Sequence, residues 1–152
     1  EQGFSGAGGD NEMREAMFDK ATPGRNLLNP DCTIYQEIGK IAAVMRDSPP
    51  LRFGRMYFRE LSTDGAQFGL PYGSDYFLAF SRLLTTSEAL VVYNVSAAHR
   101  SFAVVVDAGL HPPGSRMRFL YGGAGDVAVE RNAAGAAFVR LDLDGHRFVV
   151  LV

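Results

Sequence analysis

Tryptophan is absent from the chain, and cysteine occurs once, at Cys32. A lone thiol excludes an intrachain disulfide and leaves the redox compartment open. Without tryptophan, a sugar-stacking surface would have to use Tyr57, Tyr72, Tyr76 and Tyr121. Tyrosines at alternating strand positions are more often core or cross-strand pairs. Charge is sparse and nearly balanced, with 15 basic and 17 acidic residues and a formal net charge of −2. That balance supplies no basic face, so neither nucleic acid nor a membrane is expected as a partner. No apolar run approaches the roughly 20 residues that a membrane-spanning helix needs. His99, His111 and His146 are dispersed, and Cys32 is distant from all three. No pair has metal-ligand spacing, so solvated loop histidines are expected and no metal site.

Motifs of catalysis and cofactor binding are equally sparse. Gly6-Ala7-Gly8-Gly9-Asp10-Asn11 approaches a dinucleotide fingerprint but lacks its final glycine and its strand–helix frame. The expected reading is a loop, with no cofactor. Ser5, Ser81, Ser96 and Ser115 lack a nucleophile-elbow context. Asn94-Val95-Ser96 fits an N-glycosylation pattern but closes a buried-looking strand, so the match is read as chance. Asp10, Glu12 and Glu15 cluster with Arg14. The plain reading is a solvated polar segment, and the sharper one is a loop lining a cleft.

What is present changes character once, near Pro49-Pro50. Before it lie a glycine-rich polar segment and one long amphipathic helix, expected over Pro30–Arg46. Asn29 can cap that helix, and Thr33 followed by Gln36 offers a second start with capping-box spacing. Ile34, Ile38, Ile41, Ala42 and Met45 form one apolar stripe. Ser48-Pro49-Pro50 is expected to stop it. After it come eight strand-like runs: Met56–Leu61, Tyr76–Leu83, Ala89–Val95, Phe102–Val106, Met117–Tyr121, Val127–Glu130, Ala137–Leu143 and Arg147–Val152. Asp144-Gly145 between the last two reads as a hairpin turn. Short regular strands punctuated by turns predict a mainly β fold, an antiparallel, Greek-key-like sandwich of about eight strands. The expected division is 1–48 and 49–152. A solitary amphipathic helix needs an apolar partner surface. Self-association through the Ile34–Met45 stripe is therefore expected of the chain by itself.

Taken in order, the segments resemble a known family. Glu1-Gln2-Gly3-Phe4, Arg14-Glu15-Ala16-Met17-Phe18, Ile34–Arg46 and Ser48-Pro49-Pro50-Leu51-Arg52-Phe53-Gly54 resemble the end of the catalytic barrel in the α-amylase family of glycoside hydrolases. Phe80-Ser81-Arg82 and Ala89-Leu90-Val91-Val92-Tyr93-Asn94-Val95-Ser96 resemble the start of that family's C-terminal β-domain.

The resemblance implies that residues 1–48 are a barrel remnant: the tail of the eighth strand, the last βα loop and the last helix. Residues 49–152 would be the C-terminal β-sandwich. It implies a parent enzyme that is a retaining glycosidase acting on α-glucans. Its nucleophilic aspartate, its acid/base glutamate and a second, sugar-binding aspartate would come from barrel strands upstream of Glu1. No catalytic role passes to any residue here, although Asp10, Glu12 and Arg14 would shape the substrate cleft of the intact enzyme. A chain opening at Glu1 without initiator methionine or signal peptide is expected to be an excised piece, with localisation left open. The rival expectation is a stand-alone carbohydrate-binding or interaction module with tyrosines exposed in a row.

Overall fold

The computed structural model describes residues 30–73 and 75–152. The chain divides between Val44 and Met45. Helix α1 runs from Thr33 to Asp47, three residues later than the Pro30 start expected from the sequence. Pro30 and Asp31 form a turn instead, and the Cys32 carbonyl accepts the amide of Gln36 at 3.0 Å. That bond makes Cys32 the last residue before the helix. Among the described residues α1 buries no side chain.

The two prolines that end α1 also begin a second helix that the sequence did not suggest. α2 spans Pro49–Phe53, with prolines in its first turn and Ser48 as its N-cap. Proline is tolerated there because the first-turn amides have no intrahelical acceptor. Pro50 and Leu51 are buried. The Gly54 amide donates to the Pro50 carbonyl at 2.8 Å and closes the turn.

Among the described residues ten strands follow, all paired antiparallel: β1 Arg55–Phe58, β2 Leu61–Ser62, β3 Phe77–Leu84, β4 Ser87–Asn94, β5 Arg100–Val105, β6 Arg116–Tyr121, β7 Asp126–Ala128, β8 Glu130–Arg131, β9 Ala137–Leu143 and β10 Phe148–Leu151. They make a six-stranded sheet in the order β1-β3-β4-β10-β6-β7 and a four-stranded sheet in the order β2-β5-β9-β8. The fold is a β-sandwich, as expected. There are ten strands rather than eight because two expected runs are each broken. Met56–Leu61 breaks at Arg59-Glu60, and Val127–Glu130 breaks at Val129. Each half joins a different sheet, so the chain crosses between layers at both ends of the strand order, as strands do at sandwich corners.

The Asp144-Gly145 hairpin does not form. β9 pairs with β5 and β8, whereas β10 pairs with β4 and β6. Asp144–Arg147 is thus a switch between sheets. The positive φ falls on His146, at 57°, and not on the glycine. Gly145 serves a close approach: a Cβ there would sit 2.0 Å from the Ala97 carbonyl oxygen.

Inward-facing residues of both sheets form one core. Phe77, Ala79, Leu90, Val92, Met117, Val149 and Leu151 come from the larger sheet, and Leu61, Val104, Val139 and Leu141 from the smaller. Their period-2 spacing along each strand follows from the pleat. Burying each large side chain is worth roughly 1.5–3 kcal/mol against leaving it in water.

Candidate functional site

Two places in the sandwich gather polar chemistry. The first lies at one end of β4. Glu88 sits in phase with Leu90 and Val92 on the inward face, and its side chain is fully buried. Four donors converge on it. Oε1 accepts from Arg59 Nη2 at 2.7 Å and from the Ser81 hydroxyl. Oε2 accepts from His111 Nε2 at 2.9 Å and from the Asp107 amide at 2.8 Å. Arg59 Nε also donates to Ser81 Oγ at 2.6 Å. Burial is the largest influence on the Glu88 carboxyl and pushes its pKa up. The hydrogen bonds from His111, Ser81 and the Asp107 amide, with the Arg59 charge, outweigh it, so the pKa lies below the ordinary glutamate value.

This cluster holds a serine, a histidine and a carboxylate, but not as a hydrolytic relay. A nucleophilic serine must give its proton to the imidazole. Here the Ser81 proton goes to Glu88, and its oxygen is occupied by Arg59. Ser81 is also wholly buried. The arrangement is a lock. It ties Arg59, where the chain leaves β1, to the loop between β5 and β6. Arg131 grips the same loop from outside, donating to the carbonyls of Ala108 at 2.8 Å and His111 at 2.6 Å.

His111 therefore departs from the solvated loop position expected of it: its side chain is only 12% exposed. His99 and His146 do lie exposed, near Asp144 Oδ1 at 3.2 Å and Tyr93 Oη at 3.4 Å respectively. Among the described residues no group of three or more His, Cys, Asp or Glu side chains could hold a metal ion. Asn94 of the glycosylation pattern is fully buried. Its amide nitrogen donates to the carbonyls of Ala98, Leu143 and Asp144, and its Oδ1 accepts the Ser96 amide. It joins the β4–β5 and β9–β10 connections and offers no nitrogen to a glycan.

The second place is an open groove of about 420 Å³ between the β2–β3 connection and β5. Tyr76 and half-buried Phe102 line it, with Phe102 set edge-on against Phe77 at 4.9 Å between ring centroids. Tyr72, 93% exposed, and Leu70 stand at its side. Thr63, Gln67 and Asp75 give it polar groups. Asp75 is gripped by both ends of the Arg100 guanidinium. That hydrogen bonding, with a further one from Ser96, holds its pKa below the ordinary aspartate value. The four tyrosines considered from the sequence do not form a single row. Tyr57 lies on β1, and Tyr121 stacks on Phe148 at 4.7 Å. Only Tyr72 and Tyr76 share the groove.

Asp10, Glu12 and Arg14, expected to shape a cleft, lie outside the described residues. Sequence reasoning passed over Glu88, although its phase with Leu90 and Val92 was a usable signal. An acid on the inward face of a strand must find partners or stay protonated.

No family model and no curated protein matches the chain. Solved structures do. A debranching enzyme from Nostoc punctiforme is 22% identical with a TM-score of 0.52, over 84% of this chain and 23% of that one. The same enzyme in acarbose-soaked crystals gives 21% and 0.54, over 84% of this chain and 22% of that one. Crystals of a MutB mutant soaked with trehalulose give 18% and 0.51, over 93% of this chain and 25% of that one. MutB is a trehalulose synthase. The chain thus spans about a quarter of the length of the enzymes it matches. In fold, it is similar to one part of α-amylase-family enzymes.

Proposed function

We propose that the chain is the C-terminal part of an α-glucan-acting retaining glycosidase of the α-amylase family. On this reading residues 1–48 are the last loop and helix of its barrel. Residues 49–152 are a β-domain that supports the barrel and contributes no catalytic carboxylate. The observation that carries it is the lopsided coverage: a fold likeness over 84% of this chain takes up only 23% of the debranching enzyme. The chemistry of the sandwich supports it too. Retaining glycosidases hold two carboxyl groups ~5 Å apart across one sugar ring. Among the described residues the one buried acid is Glu88, and all its partners are donors engaged in the lock.

The test is incubation of the full 152-residue chain with starch, maltodextrin and a chromogenic α-glucoside. No product is expected. Hydrolysis that survives repeated purification would overturn the claim that the catalytic groups lie elsewhere. The partner of the isolated chain, on the same reading, is a second copy joined through the Ile34–Met45 stripe. Light scattering showing a strict monomer at high concentration would count against that.

A specific observation favours a second reading, a stand-alone carbohydrate-binding module: the groove beside Tyr72. The two readings differ in what precedes Glu1 in the gene. The first requires a barrel there, and the second does not.

A further inference from the structure

We propose that the groove between the β2–β3 connection and β5 is a binding site for a neutral oligosaccharide. Its assignment to α-glucans rests on the function proposed above; the sugar-binding chemistry does not. A saccharide ring presents an apolar C–H face and a rim of hydroxyls that both donate and accept. The groove supplies a counterpart to each. Tyr72 is 93% exposed, which leaves an aromatic face standing in water beside the opening. Tyr76 and Phe102 line the groove, and Phe102 is held by its edge-on contact with Phe77. Aromatic rings in such a place bring large contact area with few side-chain torsions to freeze.

The polar groups fit a neutral ligand. Gln67 offers an amide that both donates and accepts, and Thr63 a hydroxyl. Among the described residues Asp75 is the acid that lines the groove, and Arg100 neutralises and orients it. A carboxylate held this way keeps lone pairs for sugar hydroxyls without inviting a cation. Among the described residues no lysine or arginine lines the groove, and the neighbouring Arg100 is already paired with Asp75, so a phosphate or another anion finds no free counter-charge. The volume of about 420 Å³ falls in the range of roughly 300–1,000 Å³ usual for small-molecule clefts. Thr63, Gln67, Leu70, Tyr72, Asp75 and Tyr76 all sit on the connection between β2 and β3, and Phe102 sits on β5. The lining is thus an irregular segment placed on a rigid sheet, the common setting for recognition.

The experiment is an amide and side-chain NMR titration of the full chain with maltoheptaose and, in parallel, with cellohexaose. Tyr72→Ala is the matched variant. Because Tyr72 is almost wholly exposed, its loss leaves the thermal midpoint unchanged, which the same sample verifies. The expected result is a shift of the Gln67, Tyr72 and Tyr76 signals by maltoheptaose. Affinity in Tyr72→Ala should be lower by at least about tenfold. Shifts with cellohexaose alone would keep the glycan site and overturn the α-glucan assignment. No shift with either sugar, or equal affinity in Tyr72→Ala, would overturn the site itself. That failure would leave the proposed function standing, since a supporting β-domain needs no glycan groove.

Discussion

Helix α1 and the sandwich are written in the same kind of pattern and end in opposite states. Ile34, Ile38 and Met45 repeat at helical spacing, yet they are 49%, 39% and 48% exposed. Phe77, Leu90 and Leu151 repeat at strand spacing and are at 0%. The period of an apolar pattern names a face. Whether the face is buried depends on a partner, and the sandwich carries its own: two sheets, each covering the other. An apolar side chain left in water forgoes roughly 1.5–3 kcal/mol. On the function proposed above, the stripe of α1 faces the rest of a barrel in the intact enzyme, and that is the physical content of the proposal.

The sharpest way to break the contrast is a pair of truncations. Phe77→Ala removes a ring from the closed core and is expected to cost about 3–5 kcal/mol in urea unfolding. Ile38→Ala on α1, measured at a concentration low enough to keep the chain monomeric, is expected to change stability by less than about 0.5 kcal/mol. Comparable losses would mean that the stripe already has its partner. Next in size is the lock. Glu88→Gln removes the charge that faces Arg59 and a hydrogen-bond acceptor from the His111 side, and should cost about 3 kcal/mol. A variant as stable as the parent would show the network to be dispensable.

The same residue sets a pH dependence, and its sign follows from the lowered pKa of Glu88. A carboxyl whose folded pKa is depressed contributes stability above its unfolded pKa of about 4.3 and loses it as pH falls through the folded value. Unfolding free energy should therefore decline on acidification below that point, and Glu88→Gln should flatten the decline. Identical slopes in the two proteins would assign the acid lability to other groups. A small gain is expected at the β3–β4 turn, where Thr85 holds a φ of 51°. A β-branched residue is strained there, so Thr85→Gly should stabilise by about 0.5–1 kcal/mol. Destabilisation would mean that the threonine side chain has a role of its own.

Much of this architecture could be read from the residues because strands announce themselves by alternation. Phe102, Val104 and Val106, or Leu141 and Leu143 with Arg140 and Asp142 between, need no knowledge of the fold. What could not be read was membership of a sheet. Met56–Leu61 looks like one strand, but its partners are Phe80 for Phe58 and Val104 for Leu61, in opposite layers. Only the three-dimensional pairing tells them apart. Asp144-Gly145 misled for a related reason: a glycine can answer to a neighbour's carbonyl as well as to a turn. Pro49-Pro50 marks both an end and a beginning, and the stop signal masked the start. The lock was hidden by distance along the chain, since Arg59 and His111 lie 29 and 23 residues from Glu88. The groove was half visible. Tyr72 and Tyr76 were singled out with Tyr57 and Tyr121, but nothing in the sequence sorts the first pair from the second.

The most direct test of the central claim is the coding sequence immediately upstream of Glu1. The account predicts the strands and helices of a barrel, carrying two aspartates and one glutamate at strand ends, in continuous frame with this chain. An upstream start codon with no barrel, or an unrelated domain fused in frame, would contradict it.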